Sequence, residues 1–340
     1  MPINILFKVA GGYTIGMGHV FRSLTLAQCF LKRGQRVLGF LCNADETCIG
    51  EIHNQGYHVI ESGLDALPLS DLTGKPPDAV ILDTHISQAR FLKEARAHWP
   101  KACIAVLDYN DFMEKNIDLV INLHNHNSRQ FRPNDHRIEY LEGPRYAIFR
   151  PEFDDYIKAK HSPAVAVERI TVCMGGSDVS GATANVLDAL SNLINWRGVV
   201  DVVIGPAFKY NKSLLAATQN VPWKCNFHES PKNLVELMSR ADLAFSGGGT
   251  TMLEFLALGI PTVVLSRTEL EDNFSRRFEE QDSIARISSH NIKLQTVMET
   301  LLWIMKNTHK RLEMYRQMTQ LVDCRGRDRI VTAVLSKIVR

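Results

Sequence analysis

The stretch IGMGHVFRSLTLA, residues 15–27, sets two glycines and a histidine directly before an apolar run. Three roles are open to His19: general base for water, hydrogen-bond donor to a phosphate, or a polar filler of a first helical turn. The positive end of a helix disfavours an imidazolium, which suits a histidine placed there to accept a proton. A positioned general base contributes roughly 10²–10⁴-fold to a rate.

Three glycine loops could hold an anion: GGYTIGMGH (11–19), MGGSD (174–178) and SGGGTTMLE (246–254). Glycine lets backbone N–H groups come close to a phosphate, and a helix N-terminus adds partial positive charge. No loop carries the Lys-Ser/Thr ending of a Walker motif. GMGHVF fails the dinucleotide fingerprint because Phe21 stands where a third glycine is needed. Gly175, Gly176 and Ser177 of the second loop, and Gly248, Gly249, Thr250 and Thr251 of the third, are the candidate phosphate donors. Glu254 follows Thr250 by one turn, on the same helix face. It reads either as an acceptor for ribose hydroxyls or as an acid complementing the helix dipole.

The elements that must position these groups are legible as alternation. Apolar runs at 4–10, 36–42, 57–60, 78–83, 102–108 and 118–122 have the two-sided hydrophobicity of buried parallel strands. A helix is expected at 19–33. A polar break at 124–139 precedes a second series of runs at 169–174, 199–205, 223–227, 242–246, 261–265 and 284–287, with helices at 181–195, 231–240, 250–258 and 270–281. Both series open on a strand, a glycine loop and a helix. The expected fold is α/β: two doubly wound Rossmann-like domains joined near 155–168, their strand C-termini facing across a cleft. Asp83, His85, Asp108, Tyr109, Asn110 and Asn122 sit at those strand ends, where they read as sugar contacts or as caps of the next turn. Gly16 and Gly18 flank the same region.

Composition narrows the partners. The 340 residues carry a net charge of +2, 45% hydrophobic and 22% charged residues, with no basic block, so neither nucleic acid nor an anionic membrane is an expected partner. Seven cysteines lie scattered without a CxxC pair, the usage of a reducing compartment. The N-terminus lacks a basic leader, and no apolar stretch approaches the roughly 18 residues of a membrane span. A cytoplasmic protein is expected. The sequence offers no argument about oligomeric state.

With IGMGHVFRSLTLA, YAIFRPEF (146–153), MGGSD, ADLAFSGGGTTMLEFLALGIPTVVL (241–265), DNF (272–274) and DCRGRDRIV (323–331), the chain resembles the PseG/SpsG-type family. These are UDP-sugar hydrolases of the pseudaminic-acid pathway, related in fold to MurG-like GT-B glycosyltransferases. The resemblance implies a GT-B fold with a sugar-binding catalytic domain at 1–155 and a UDP-binding domain at 165–310. Helices at 311–340 would pack back toward the first domain. It implies His19 as catalytic base and the pyrophosphate on the GGGTT and MGGS loops. The ribose falls to Glu254, the uracil to the 226–230 segment that contains His228, and Asn273 lies near the sugar or diphosphate. Tyr146 and Arg150 would pin the domain junction. The implied reaction hydrolyses a UDP-sugar at its anomeric carbon, releasing UDP and a 2,4-diacetamido-2,4,6-trideoxyhexose, with no cofactor and no metal. Two positions depart from the family pattern: FKVA, with Lys8 and Ala10, stands for FRxD, and DTHIS for DHYG. Both are expected on the sugar side, where they would permit a different sugar or a different acceptor. The competing readings are a GT-B glycosyltransferase with a hydroxyl acceptor and a non-catalytic nucleotide-sugar binder.

Overall fold

The computed structural model describes residues 1–12, 17–70, 72, 74–84, 88–108, 116–123, 138–158, 162–176, 178, 180–205, 208, 214 and 218–338. The chain divides into two compact units: Met1–Pro151 together with Cys324–Arg340, and Glu152–Asp323.

The first unit is built on seven parallel strands. They are β1 (Asn4–Gly11), β2 (Arg36–Ala44), β3 (Val59–Glu61), β4 (Ala79–Asp83), β5 (Cys103–Leu107), β6 (Leu119–Asn122) and β7 (Glu139–Glu142), in the spatial order 3-2-1-4-5-6-7. Every residue of β1 is buried, as a central strand covered on both faces must be. One face packs Phe7 and Phe40, ring centroids 4.9 Å apart, against Leu24, Ala27 and Phe30 of α1 (Gly18–Lys32). The helix Gly326–Ile338 adds Ile330, Val331 and Val334 to that core. The other face packs Leu6, Val80, Leu82 and Ile104 under Phe91, Leu92 and Ala95 of α3 (Ala89–His98); α2 (Glu46–Asn54) follows β2. Strand β7 was not expected. Its sequence, EYLE, shows only Leu141 buried, and so short a polar edge strand carries little periodicity.

Lys8 and Ala10, expected on the sugar side, lie inside the sheet. Both are fully buried, and Lys8 Nζ donates to Ser62 Oγ and to the Gly63 carbonyl, both at 2.7 Å. Lysine therefore anchors the loop after β3, and the departure at this position is one of packing.

The second unit repeats the plan with six parallel strands: β8 (Arg169–Cys173), β9 (Val199–Ile204), β10 (Lys224–Glu229), β11 (Leu243–Gly247), β12 (Thr262–Leu265) and β13 (Ala285–Ile287), ordered 10-9-8-11-12-13. Its helices are α4 (Phe153–Lys158), α5 (Ala182–Ser191), α6 (Leu234–Ser239), α7 (Thr250–Leu258), α8 (Glu269–Glu280), α9 (Leu294–Lys306) and α10 (Thr308–Leu321). The chain leaves this unit later than residue 311. Helix α10 stays because Arg311, fully buried, donates to the carbonyls of Ile304, Met305 and Val165, each at 2.7 Å. Among the described residues no helix is long and apolar enough to cross a membrane.

Burial pushes the Lys8 ammonium down to about 8, against smaller opposing effects of Cys42 and Asp65. Since the folded value lies below the unfolded one, the cost of burying the charge is felt in full at neutral pH and fades as pH rises from about 8 toward 10. Lys8→Met is expected to be at least as stable as wild type at pH 7, with its advantage shrinking between pH 8 and 10 in urea unfolding. An advantage that grows with pH would contradict the assignment.

Candidate functional site

His19 is the second residue of α1, a helix whose first turn has no side-chain cap. Its Nδ1 lies 2.7 Å from Asp83 Oδ1. Asp83 ends β4, which pairs directly with β1, so the helix that follows β1 starts beside it. Asp83, which only accepts, favours a proton on Nδ1 and so leaves Nε2 as the basic nitrogen, while the Arg22 guanidinium, which only donates, sets Nη2 3.0 Å from the same Nδ1.

One turn further along α1, Arg22 buries its guanidinium against two carboxylates. Its Nε donates to Asp83 Oδ2 at 2.5 Å, Nη2 donates to Asp83 Oδ1, and Nη1 donates to Asp108 Oδ2. Ser23 Oγ adds a bond to Asp83 Oδ2 at 3.3 Å. Asp108, just past β5, holds a left-handed backbone (φ +49°) and accepts the Leu123 N–H at 3.1 Å. Aspartate tolerates that conformation better than most residues. The ends of β4, β5 and β6 and the start of α1 are thereby joined through one arginine. Burial alone would raise Asp83; Arg22 and His19 beside it outweigh burial and hold its carboxyl at about 2. The same two carboxylates raise Arg22 against the opposing effect of its burial.

This arrangement corrects the expectation that Asp83 touches a sugar. Its side chain is 0% exposed and its oxygens are engaged by His19, Arg22 and Ser23, whereas His19 is 17% exposed. Asp83 orients the histidine. Gly18 is exposed at the start of α1, and Asn122, ending β6, is buried with its Oδ1 unpartnered among the described residues. Gly16, His85, Tyr109 and Asn110 lie outside the described residues. Tyr146 packs on the α1-side core of the first unit. Arg22 was missed by sequence reasoning; its signal is a single arginine three residues after His19, on a helix face that is otherwise buried.

In the second unit the two glycine loops meet. Gly175 takes φ +91°, and a Cβ built on it would lie 3.6 Å from Thr251 Oγ1. Gly205, after β9, has no room for a side chain: a Cβ would come within 2.5 Å of the carbonyl oxygens of both Gly175 and Gly176. Helix α7 begins at Thr250 with Gly249 as N-cap and no side-chain cap bond. Gly249, Thr250 and Thr251 are at least partly exposed, as are Gly175 and Gly176. Gly248 is committed elsewhere, its N–H donating to Glu271 Oε2 at 3.2 Å. That carboxylate also accepts the Arg267 N–H at 2.7 Å and Arg267 Nη2 at 2.6 Å. Burial would lower Arg267, but Glu271 and, further off, Asp178 raise it. Sequence reasoning missed this pair, whose i,i+4 spacing across the start of α8 was its only signal.

Glu254 is half-buried in α7. His228, on β10, places Nε2 2.8 Å from Asp201 Oδ1, which also accepts Asn226 Nδ2 at 2.8 Å. Burial would raise Asp201, and the donors His228, Asn226 and Arg169 lower it instead. Asn273 is exposed on α8, beside a buried Asp272 that accepts Ser289 Oγ at 2.6 Å and Arg286 Nη1 at 2.9 Å. Ser177 lies outside the described residues.

No protein-family model matches the chain. An uncharacterised protein of Methanocaldococcus jannaschii is 32% identical over 277 residues, which is 79% of this chain, and the chain spans 57% of that protein's length. The spore coat polysaccharide biosynthesis protein SpsG of Bacillus subtilis is 26% identical over 339 residues, covering 96% of both chains. Acinetobacter baumannii MurG superposes with a TM-score of 0.71 over 98% of this chain and 100% of its own, at 13% identity. The S. aureus MnaA–UDP co-structure does so at 0.63, over 99% of this chain and 98% of its own, at 12% identity. With two parallel-sheet α/β units and these neighbours, the fold is GT-B.

Because Asp83 is held at about 2 against an ordinary 3.8, its ionised form stabilises the folded state above the ordinary range. That contribution, about 2 kcal/mol, is lost as pH falls from about 4 toward 2. Urea unfolding is expected to show wild type more stable than Asp83→Asn by a constant margin from pH 7 to 5, narrowing between pH 4 and 3. A margin indifferent to acid would contradict it.

Proposed function

We propose that the chain is a UDP-sugar hydrolase in which His19 Nε2 is the general base. The observation that carries this is His19 with Nδ1 2.7 Å from a buried Asp83 that Arg22 holds in place together with Asp108. Water attacks the anomeric carbon and its proton passes to Nε2. The bond from that carbon to the β-phosphate oxygen breaks, and UDP leaves with the electron pair. Asp83 keeps its charge throughout and stabilises the imidazolium as it forms, as the buried aspartate of a Ser-His-Asp triad does.

In the same reading the second unit takes the nucleotide. The exposed backbone at Gly175, Gly176 and Gly249, with Ser177, Thr250 and Thr251, receives the diphosphate and stabilises the charge that develops on it. Glu254 accepts from the ribose, and the 226–230 segment lies along the uracil. The role of the SpsG relative in spore coat polysaccharide biosynthesis supports a sugar-building pathway, and a UDP complex of a protein with this fold supports the nucleotide. We assign the sugar to the 2,4-diacetamido-2,4,6-trideoxyhexose class on the motif resemblance. Asp83, Arg22 and Asp108 act through His19 as positioning residues.

The test is UDP release from UDP-2,4-diacetamido-2,4,6-trideoxy-β-L-altropyranose with chelator and without acceptor. His19→Ala is expected to lose at least about 10²-fold in kcat, and Arg22→Met to lower kcat with little change in KM. Release that persists in His19→Ala would overturn the base assignment, and release that waits for an added hydroxyl acceptor would make the chain a transferase.

A further inference from the structure

Gln88 occupies the N-cap position of α3 yet makes no capping bond. Asp65 does that work in its place, accepting the Phe91 N–H at 2.7 Å. The glutamine amide is thus left unspent, although the residue is only 2% exposed. Both Nε2 and Oε1 are buried and unpartnered among the described residues. Burying an amide without partners costs on the order of 1–3 kcal/mol, and native proteins keep such a group only where something else completes it. An apolar side chain of the same length would fill the space without that cost.

The place matters as much as the deficit. Gln88 follows the C-terminal end of β4 by five residues, on the segment that leaves Asp83. Strand C-termini are where doubly wound sheets bind ligands. Asn122, at the end of β6 on the same side of the sheet's strand ends, carries another unpartnered buried amide oxygen among the described residues. A primary amide offers a donor and an acceptor side by side. The group that satisfies both is one that offers an acceptor and a donor in the same way, an amide. A hydroxyl alone meets one end and leaves the other bare.

We propose that Gln88 is a specificity-determining residue that reads an acylamino substituent on the glycosyl part of the substrate. This rests on the nucleotide-sugar reading above and narrows it. A buried site built to hydrogen-bond a polar group rejects an analogue that lacks it far more strongly than an apolar pocket rejects an extra methylene.

The experiment titrates the full chain with UDP, UDP-N-acetylglucosamine and UDP-glucose by calorimetry, for wild type and the near-isosteric Gln88→Met. Wild type is expected to bind the acylamino sugar at least about 10-fold tighter than its hydroxyl counterpart. Gln88→Met should bring the two within about 2-fold, bind UDP as wild type does, and melt no lower. If Gln88→Met keeps the preference, or melts higher while the preference is untouched, the amide serves only an internal water and the proposal is overturned. A wild type that binds UDP but does not discriminate overturns the Gln88 assignment alone. A wild type that does not bind UDP overturns the nucleotide-sugar reading, and this one with it.

Discussion

A carboxylate shut away from water is tolerated only where charge and hydrogen bonds offset its lost hydration. Asp83 meets that condition through Arg22, His19 and Ser23, and much of the first unit's upper end is arranged around it. Arg22 needs Asp108 as a second counter-charge, Asp108 takes a left-handed backbone to supply it, and the Leu123 N–H fixes Asp108 in turn. Removing any member would leave a buried charge without its partner, the costly way to break such a network. Orienting a partly exposed histidine is the chemical consequence.

The second unit solves a different problem. It presents backbone rather than charge: two glycine loops that meet where Gly175 faces Thr251, with Gly205 packed closely on Gly175 and Gly176. Arg267, beside Gly247, is held by Glu271, which also ties down Gly248. Side chains there set the shape of the loops. In the proposed reading the two units divide the tasks, one orienting a base and the other offering backbone donors to an anion.

How much of this could be read from the residues follows from range. Strands buried on both faces announce themselves as apolar runs, and α7 was legible to its ends because Gly249 and Gly259 bound a largely apolar segment. Strand β7 was not, since four residues of EYLE give no period to read. His19 and Asp83 each stood out singly. Their pairing across 64 residues did not, because it depends on β4 lying beside β1, a fact of sheet order. Asp83, which read as a sugar contact or a cap, spends its carboxylate on Arg22 and His19, and Lys8 spends its ammonium on Ser62 and Gly63. Gln88 carries no sequence signal: an uncapped glutamine before a helix is ordinary until Asp65 is seen to have taken its bond.

The central claim is that Asp83 fixes the proton of His19 on Nδ1 and leaves Nε2 to take one from water. A long-range ¹H–¹⁵N correlation spectrum of ¹⁵N-histidine-labelled protein at neutral pH, assigned with His19→Ala, reads this directly. The account predicts a protonated Nδ1 and an unprotonated Nε2 for His19, with the tautomers mixed or reversed in Asp83→Asn. A wild-type spectrum with the proton on Nε2, unchanged by that substitution, would contradict it.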